Sequence, residues 1–322
     1  MILVLRALGI GDLATGVPAL RGLRAAFPDA EIALAAPAWV GPLVALAGAV
    51  DTHVPVDGLG PHRWDLPARP SLAVNLHGKG PQSHRLLASA GAPRMWAWAS
   101  PGYDGPQWRA DEHEVARWCR LLAYHGVACD PEDLALRVPD PGDVPVGATI
   151  VHPGAKAPER RWPPERFAAV ARALAGSGHR VVVTGSAAEH ALASSVARLA
   201  GLPSAAVRTS GDVGSLAALV AHARLVVCGD TGIGHLATAY GVPSVLLFGP
   251  VSPALWGPPP SRGRHVALRA APSPAPVPGV DPRLSAIGVD AVLSAVGRVL
   301  GETQDTVGIT GRVGITTYRR AE

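Results

Sequence analysis

At 322 residues the chain is longer than one hydrophobic core usually serves, so two domains are expected. Apolar residues make up 48% and charged residues 17%, which excludes a disordered chain, and a net charge of +4 without any basic run excludes nucleic acid as a partner. Cys119, Cys129 and Cys228 are odd in number and form no CxxC pair; a disulfide framework or structural zinc is therefore not expected, and a reducing, cytoplasmic setting is.

The first residues, up to Leu8, are apolar but lack a basic leader, and Asp12 arrives too early for a secretory signal. A strand is predicted over 2–5, then the loop Gly9-Ile10-Gly11-Asp12, then a helix over 13–27 in which Pro18 predicts a kink or a late start. Residues 32–50 carry no charge, but Pro37, Gly41, Pro42 and Gly48 split them into a strand, a turn and a short helix of soluble core. Strands near 53–56 and 71–76 follow, the second closed by Asn75-Leu76-His77-Gly78-Lys79-Gly80. Residues 93–106 read as irregular, 111–125 as helix, and 130–143 as the linker. A second α/β pattern runs from 148: strand to 152, helix 164–176, strand 180–184, helix 187–200, a short strand near 206, helix 214–222 and strand 224–228. Helix 233–240 and strand 245–248 continue it, residues 250–282 read as a proline-rich surface loop, and 289–300 as a last amphipathic helix. The tail repeats VGIT at 307 and 313, a possible hairpin with no function assigned.

Strand and helix alternate in both halves, which predicts an α/β fold with two doubly wound, parallel, Rossmann-like domains, over 1–140 and 148–300, and a tail over 301–322. Ligand loops in such sheets lie beyond the carboxyl ends of the strands, and two domains predict a cleft between them.

The loops at those ends carry the chemistry. Cys228-Gly229-Asp230-Thr231-Gly232 joins a strand to a helix N-terminus, whose free N–H groups and positive dipole end suit a phosphate; the plain alternative is that Asp230 only caps and the glycines only turn. His235 lies one turn on, on the same face, as a phosphate contact or a structural histidine. His152-Pro153-Gly154-Ala155 ends another strand, and Lys156, Arg160 and Arg161 follow it: cations able to hold a diphosphate without a metal, or a solvated basic loop. Thr184-Gly185-Ser186 can edge a nucleoside or simply turn the chain. Gly9-Ile10-Gly11-Asp12-Leu13-Ala14 satisfies the dinucleotide fingerprint, but its expected acid, Glu31, precedes the second strand instead of ending it. Asp12 is either a helix cap or a general base, with Gly11 beside it; His77 and Lys79 face an acceptor or solvent. No D-x-D sequence, metal-ligand spacing or nucleophile elbow occurs, so metal-dependent phosphate handling and a covalent enzyme intermediate are unsupported, and no cofactor is implied.

With ILVLRALGIGDLATGVPALRGLRAAFPDAEI, NLHGKG, HPGAKAPERRWPPERFAAVARAL, VVVTGSAAEHALA and DTGIGHLATAYGVPSVLLFGPVSP laid out, the chain resembles glycosyltransferase family 9, the lipopolysaccharide heptosyltransferase-like proteins. The resemblance implies a GT-B fold, two Rossmann-like domains facing across a cleft, often with the final helix packing back toward the first. It also implies a metal-independent inverting transfer of a heptose from ADP-heptose; the acceptor hydroxyl, on a glycan, glycolipid or metabolite, is left open, and any membrane association is expected to be at most peripheral. In that reading Asp12 is the base, Arg160 takes the place of a basic residue that is commonly lysine, and Asp230, Thr231, Gly232 and His235 form the phosphate loop. A non-catalytic nucleotide-sugar-binding relative and an NAD-dependent oxidoreductase are the alternatives.

Overall fold

The computed structural model describes residues 1–301; the repeated VGIT segment lies outside the described residues. The chain divides into two compact units, Met1–Val138 and the part from Pro139 onward.

Unit 1 is built from β1 (Ile2–Leu5), α1 (Ile10–Ala26), β2 (Ile32–Ala36), α2 (Gly41–Ala47), β3 (Thr52–Pro55), β4 (Leu72–Asn75), α3 (Gln82–Ala88), β5 (Met95–Trp96) and α4 (Glu114–Tyr124). Its sheet is parallel throughout, in the order β3-β2-β1-β4-β5. Strands β1, β2 and β4 are buried at every residue, because helices cover both faces; that is why they read as continuous apolar runs without alternation. The strand order reverses at β1/β4, whose register runs from Ile2↔Leu72 to Leu5↔Asn75. Helix α1 starts at Ile10, three residues before the expected place, and Pro18 sits inside it without delaying the start. Helix α3 and the two-residue β5 were not expected; both lie in stretches too short or too rich in Gly, Pro and Trp to show a period.

Unit 2 holds β6 (Thr149–His152), α5 (Pro164–Gly176), β7 (Val181–Thr184), α6 (His190–Ala200), β8 (Val207–Arg208), α7 (Val213–Ala221), β9 (Leu225–Gly229) and α8 (Gly232–Tyr240). It continues with β10 (Ser244–Leu247), α9 (Pro253–Trp256), β11 (His265–Leu268), α10 (Pro282–Ser285) and α11 (Val289–Leu300). The order β11-β10-β9-β6-β7-β8, again all parallel, is the six-stranded dinucleotide-fold order, with its reversal at β6/β9. Pro164 opens α5, where its missing N–H costs nothing, and Gly241 ends α8 in the left-handed conformation that favours glycine. The expected loop over 250–282 is corrected: it contains α9 and the sixth strand β11, whose four apolar-rich residues were hidden among prolines. Helix α11 buries Val292, Ala295, Val296 and Val299, a stripe at helical spacing, against α5, β10 and β11 of its own unit. No helix among the described residues is long and apolar enough to cross a membrane.

Candidate functional site

In unit 2 the loops after β6 and β9 meet at the reversal point, where open α/β sheets place ligands. Arg160 donates from Nη2 to the Asp230 carbonyl at 3.0 Å and to the Asp230 carboxylate. The two side chains are 31% and 11% exposed, so the pair is held at the surface of the loop and open to a ligand. Thr231 is the N-cap of α8 in an extended conformation and makes no side-chain cap, so the helix's leading N–H groups have no hydroxyl or carboxylate of their own. His235, one turn on, packs edge-on against Trp256 with ring centroids 5.8 Å apart. Asp230, Thr231, His235, Phe248 and Trp256 line a small depression there. A cation, an uncapped helix N-terminus and a carboxylate that positions the cation can together receive an anion.

The neighbouring loops serve as its support. Glu189 accepts from Ser186 N–H and from Ser186 Oγ, both at 2.9 Å, and lies 3.8 Å from Arg161. Its carboxylate also covers Gly154 so closely that a Cβ there would stand 2.4 Å from Oε1, and a Cβ on Gly185 would stand 3.1 Å from Glu189 Cβ. The two glycines are therefore needed for the close approach of Glu189. Thr184 is 2% exposed and its hydroxyl is bonded to His152 Nδ1 at 3.0 Å. Burial pulls the His152 imidazole down to about 4, against the opposing pull of Glu189, so that it is neutral near pH 7. Lys156 is exposed on the same loop. Trp162, which adjoins Arg161, is buried and donates to the Ile287 carbonyl at 3.0 Å, which anchors the loop to the segment before α11.

In unit 1 Asp12 lies in the first turn of α1, with Gly11 before it, and its Oδ2 accepts from the Gly9 N–H at 3.1 Å. The cap role is thus real, and it uses one carboxylate oxygen. Gly9 supplies the extended N-cap conformation, φ −86° and ψ −171°. His77 follows β4 on a loop held by Asn75, whose Oδ1 accepts from the His77 N–H at 3.0 Å and whose Nδ2 donates to Ser83 Oγ at 2.9 Å. Burial lowers His77 to about 4, the charge of Arg6 adding to it and that of Asp12 opposing it, so Arg6, Asp12 and His77 form one cluster; its Nδ1 is buried without a hydrogen-bond partner. Lys79 is exposed at the tip. Glu31 stands at the entry to β2, accepting from Thr52 Oγ1 at 2.9 Å, at the opposite end of the sheet from where a ribose-binding acid belongs. Among the described residues no group of three or more His, Cys, Asp or Glu side chains could hold a metal ion.

Sequence reasoning missed Arg6, Glu114, Glu189 as a loop support, and Trp256. A lone charge ending an apolar strand, as Arg6 does, was the only available signal for the first.

Two Rossmann-like α/β units, each with an all-parallel sheet, give the chain a fold of the GT-B class. The profile described as glycosyltransferase family 9 (heptosyltransferase) matches residues 109–276, just over half of the chain. The chain belongs to that family and is a sugar-transferring enzyme. Lipopolysaccharide heptosyltransferase 2 of Salmonella typhimurium is 26% identical over 313 residues, covering 83% of this chain and 88% of that protein. Among solved structures, a family 9 glycosyl transferase from Veillonella parvula superimposes with a TM-score of 0.78 at 22% identity, over 94% of this chain and 97% of the other. ADP-heptose lipopolysaccharide heptosyltransferase II of E. coli gives 0.75 at 23% identity, over 94% and 98%. These two likenesses bear on the fold.

Proposed function

We propose that this enzyme moves a heptose from ADP-heptose to a hydroxyl of a glycan, glycolipid or metabolite acceptor by a single inverting displacement that needs no metal. The observation that carries the reading is the Arg160–Asp230 pair at the uncapped N-terminus of α8. The departing diphosphate gains charge as the glycosidic bond breaks, and fixed donors aimed at developing charge are the strongest stabilising device available to an active site. Arg160, Lys156 and the N–H groups following Thr231 supply those donors, and His235 adds a further phosphate contact. In unit 1 Asp12 takes the proton from the attacking hydroxyl, Gly11 leaves the approach open, and His77 and Lys79 contact the acceptor. Gly154 and Gly185, shaped around Glu189, form the wall beside the nucleotide. The names of the relatives favour a lipopolysaccharide-type acceptor and an ADP-linked donor. Three free cysteines suit a cytoplasmic setting, with membrane association no more than peripheral.

Thermal unfolding with ADP, GDP, UDP or NAD tests the donor. A nucleotide at about one hundred times its dissociation constant adds roughly 2.7 kcal/mol to the folded state. ADP is expected to raise the midpoint and NAD to leave it unchanged; the reverse result would overturn the transferase site. Transfer assayed after chelation, with the anomeric configuration of the product read by NMR, tests the remaining two features: full activity and an inverted centre are expected.

A further inference from the structure

The β1/β4 ladder ends at Leu5↔Asn75, with one more bond from the Leu76 N–H to the Leu5 carbonyl at 3.1 Å. Beyond it the two chains diverge into the loops that carry Asp12 and His77. Arg6 stands in the gap, its side chain 0% exposed. Its Nε donates to the Asp12 carbonyl and its Nη1 to the Leu76 carbonyl, one bond into each loop. Nη2 donates to Thr15 Oγ1 at 2.9 Å and to Glu114 Oε1 at 3.3 Å. Thr15 in turn donates to the Gly11 carbonyl at 3.0 Å, so the first turn of α1 is tied to the same guanidinium twice. The guanidinium carbon lies 4.8 Å from the centre of the Trp118 ring, and Trp118 Nε1 donates to Glu114 Oε1 at 2.8 Å. Gly16 makes the room: a Cβ there would fall 2.9 Å from both Cδ and Nε of Arg6.

Stability alone is a poor reason for such an arrangement, since a buried ion pair is often no better than apolar packing of the same volume. Geometry is a better one. A planar guanidinium spreads its donors over three nitrogens and so meets two diverging carbonyls and a hydroxyl at once, whereas the three donors of an ammonium all leave one atom. We propose that Arg6 is a positioning residue for sugar transfer, fixing Asp12 at a set distance from the His77 loop so that base and acceptor are held together. This rests on the reading of Asp12 as the base. A displacement of about 1 Å at a reacting centre costs on the order of a hundredfold in rate, so a clamp across the two loops has a large effect to exert.

The test compares Arg6→Lys, Gly16→Ala and Asp12→Asn in the full chain. The donor is ADP-heptose and the acceptor probe is heptose-free lipopolysaccharide, with kcat and the donor KM measured separately. Arg6→Lys keeps the charge and loses the fork; Gly16→Ala pushes the fork aside without altering any charge, and serves where Arg6→Lys does not fold. Each is expected to lower kcat by about ten- to a hundredfold with the donor KM and the ADP-induced thermal shift unchanged. Histidine NMR supplies a readout that needs no acceptor: as the loop loosens, water reaches His77, which faces Arg6 and Asp12, and its titration midpoint rises from about 4 toward 6.5. Folded Arg6→Lys and Gly16→Ala proteins with an unmoved His77 midpoint, or with wild-type kcat, would overturn the clamp. A fully active Asp12→Asn would instead overturn the base, whatever the Arg6 variants do; an inactive Asp12→Asn beside fully active Arg6→Lys and Gly16→Ala removes the clamp alone.

Discussion

The two units hold their chemistry by different means. In unit 2 the groups are placed by local backbone: a strand end, a glycine loop and a helix N-terminus, with one ion pair from Arg160 to Asp230 across adjacent loops. In unit 1 the same strand-loop-helix pattern sets Asp12, but its loop is also tied to the next by a buried guanidinium that reaches α4, more than a hundred residues along the chain. Local placement tolerates substitution around it; long-range placement fails when any one partner is lost. Unit 2 should therefore lose affinity in steps, while unit 1 should lose rate all at once.

The sharpest contrast comes from one substitution in each unit. Asp12→Asn keeps an oxygen to accept from the Gly9 N–H and so preserves the cap, but removes the base; kcat is expected to fall by about 10² to 10⁴ with the melting midpoint within a degree or two of wild type. Arg160→Met removes a charge-assisted donor worth roughly 1.5 to 3 kcal/mol, so ADP affinity should weaken by about ten- to a hundredfold, read by calorimetry, at little cost in fold. An Arg160→Met protein with wild-type ADP affinity would mean that the ion pair with Asp230 is structural and that the phosphate site lies elsewhere.

That contrast also governs what the sequence could reveal. Period, glycine and proline placed nearly every element of unit 2, and the Asp230-Thr231-Gly232 loop could be read as an anion site because the physics is local: three residues and the helix after them. The strand β11 escaped because prolines on both sides outweighed its four residues, and α3 because seven residues make only two turns. Thr184 shows a deeper limit. Its place at a strand end was right, but whether a hydroxyl faces a ligand or a neighbouring His152 depends on side-chain direction, which no spacing encodes. Arg6 and Glu114 are the extreme case: Arg6 is a lone charge after β1, Glu114 is one of several charges around the start of α4, and only the tertiary packing that brings α4 against α1 makes them partners.

A milder break is available at the wall of the donor loop. A methyl group on Gly154 meets the end of the Glu189 side chain, which is flexible enough to move, so the expected loss is that of the two bonds to Ser186, about 1 kcal/mol in total. Because Gly154→Ala and Glu189→Ala act on one contact, their effects on the melting midpoint should not add, and the double variant should be no less stable than Glu189→Ala alone. Additive losses would place Glu189 outside the support of this loop.

A last effect separates the units by pH. His77 in unit 1 and His152 in unit 2 are both lowered to about 4 by burial, against an ordinary value of 6.5. Between those two values the unfolded chain binds protons that the folded chain does not, so folding stability rises with pH through this window and is lost as pH falls from 6.5 toward 4. Carboxylates act lower: Asp51, held down first by the Ile32 N–H, and Asp212, by the Ser215 N–H, lose their contribution only as pH falls below their ordinary value of 3.8. Replacing His77 by Asn should make the upper window less steep for amides of unit 1 in hydrogen exchange, with the remaining slope there due to His84 and His125, which burial also lowers; replacing His152 by Asn should do so for unit 2, where His265 is likewise lowered to about 4. Because each unit has its own core, each histidine should report on its own unit first; a single substitution that flattened both windows equally would show the two to unfold as one.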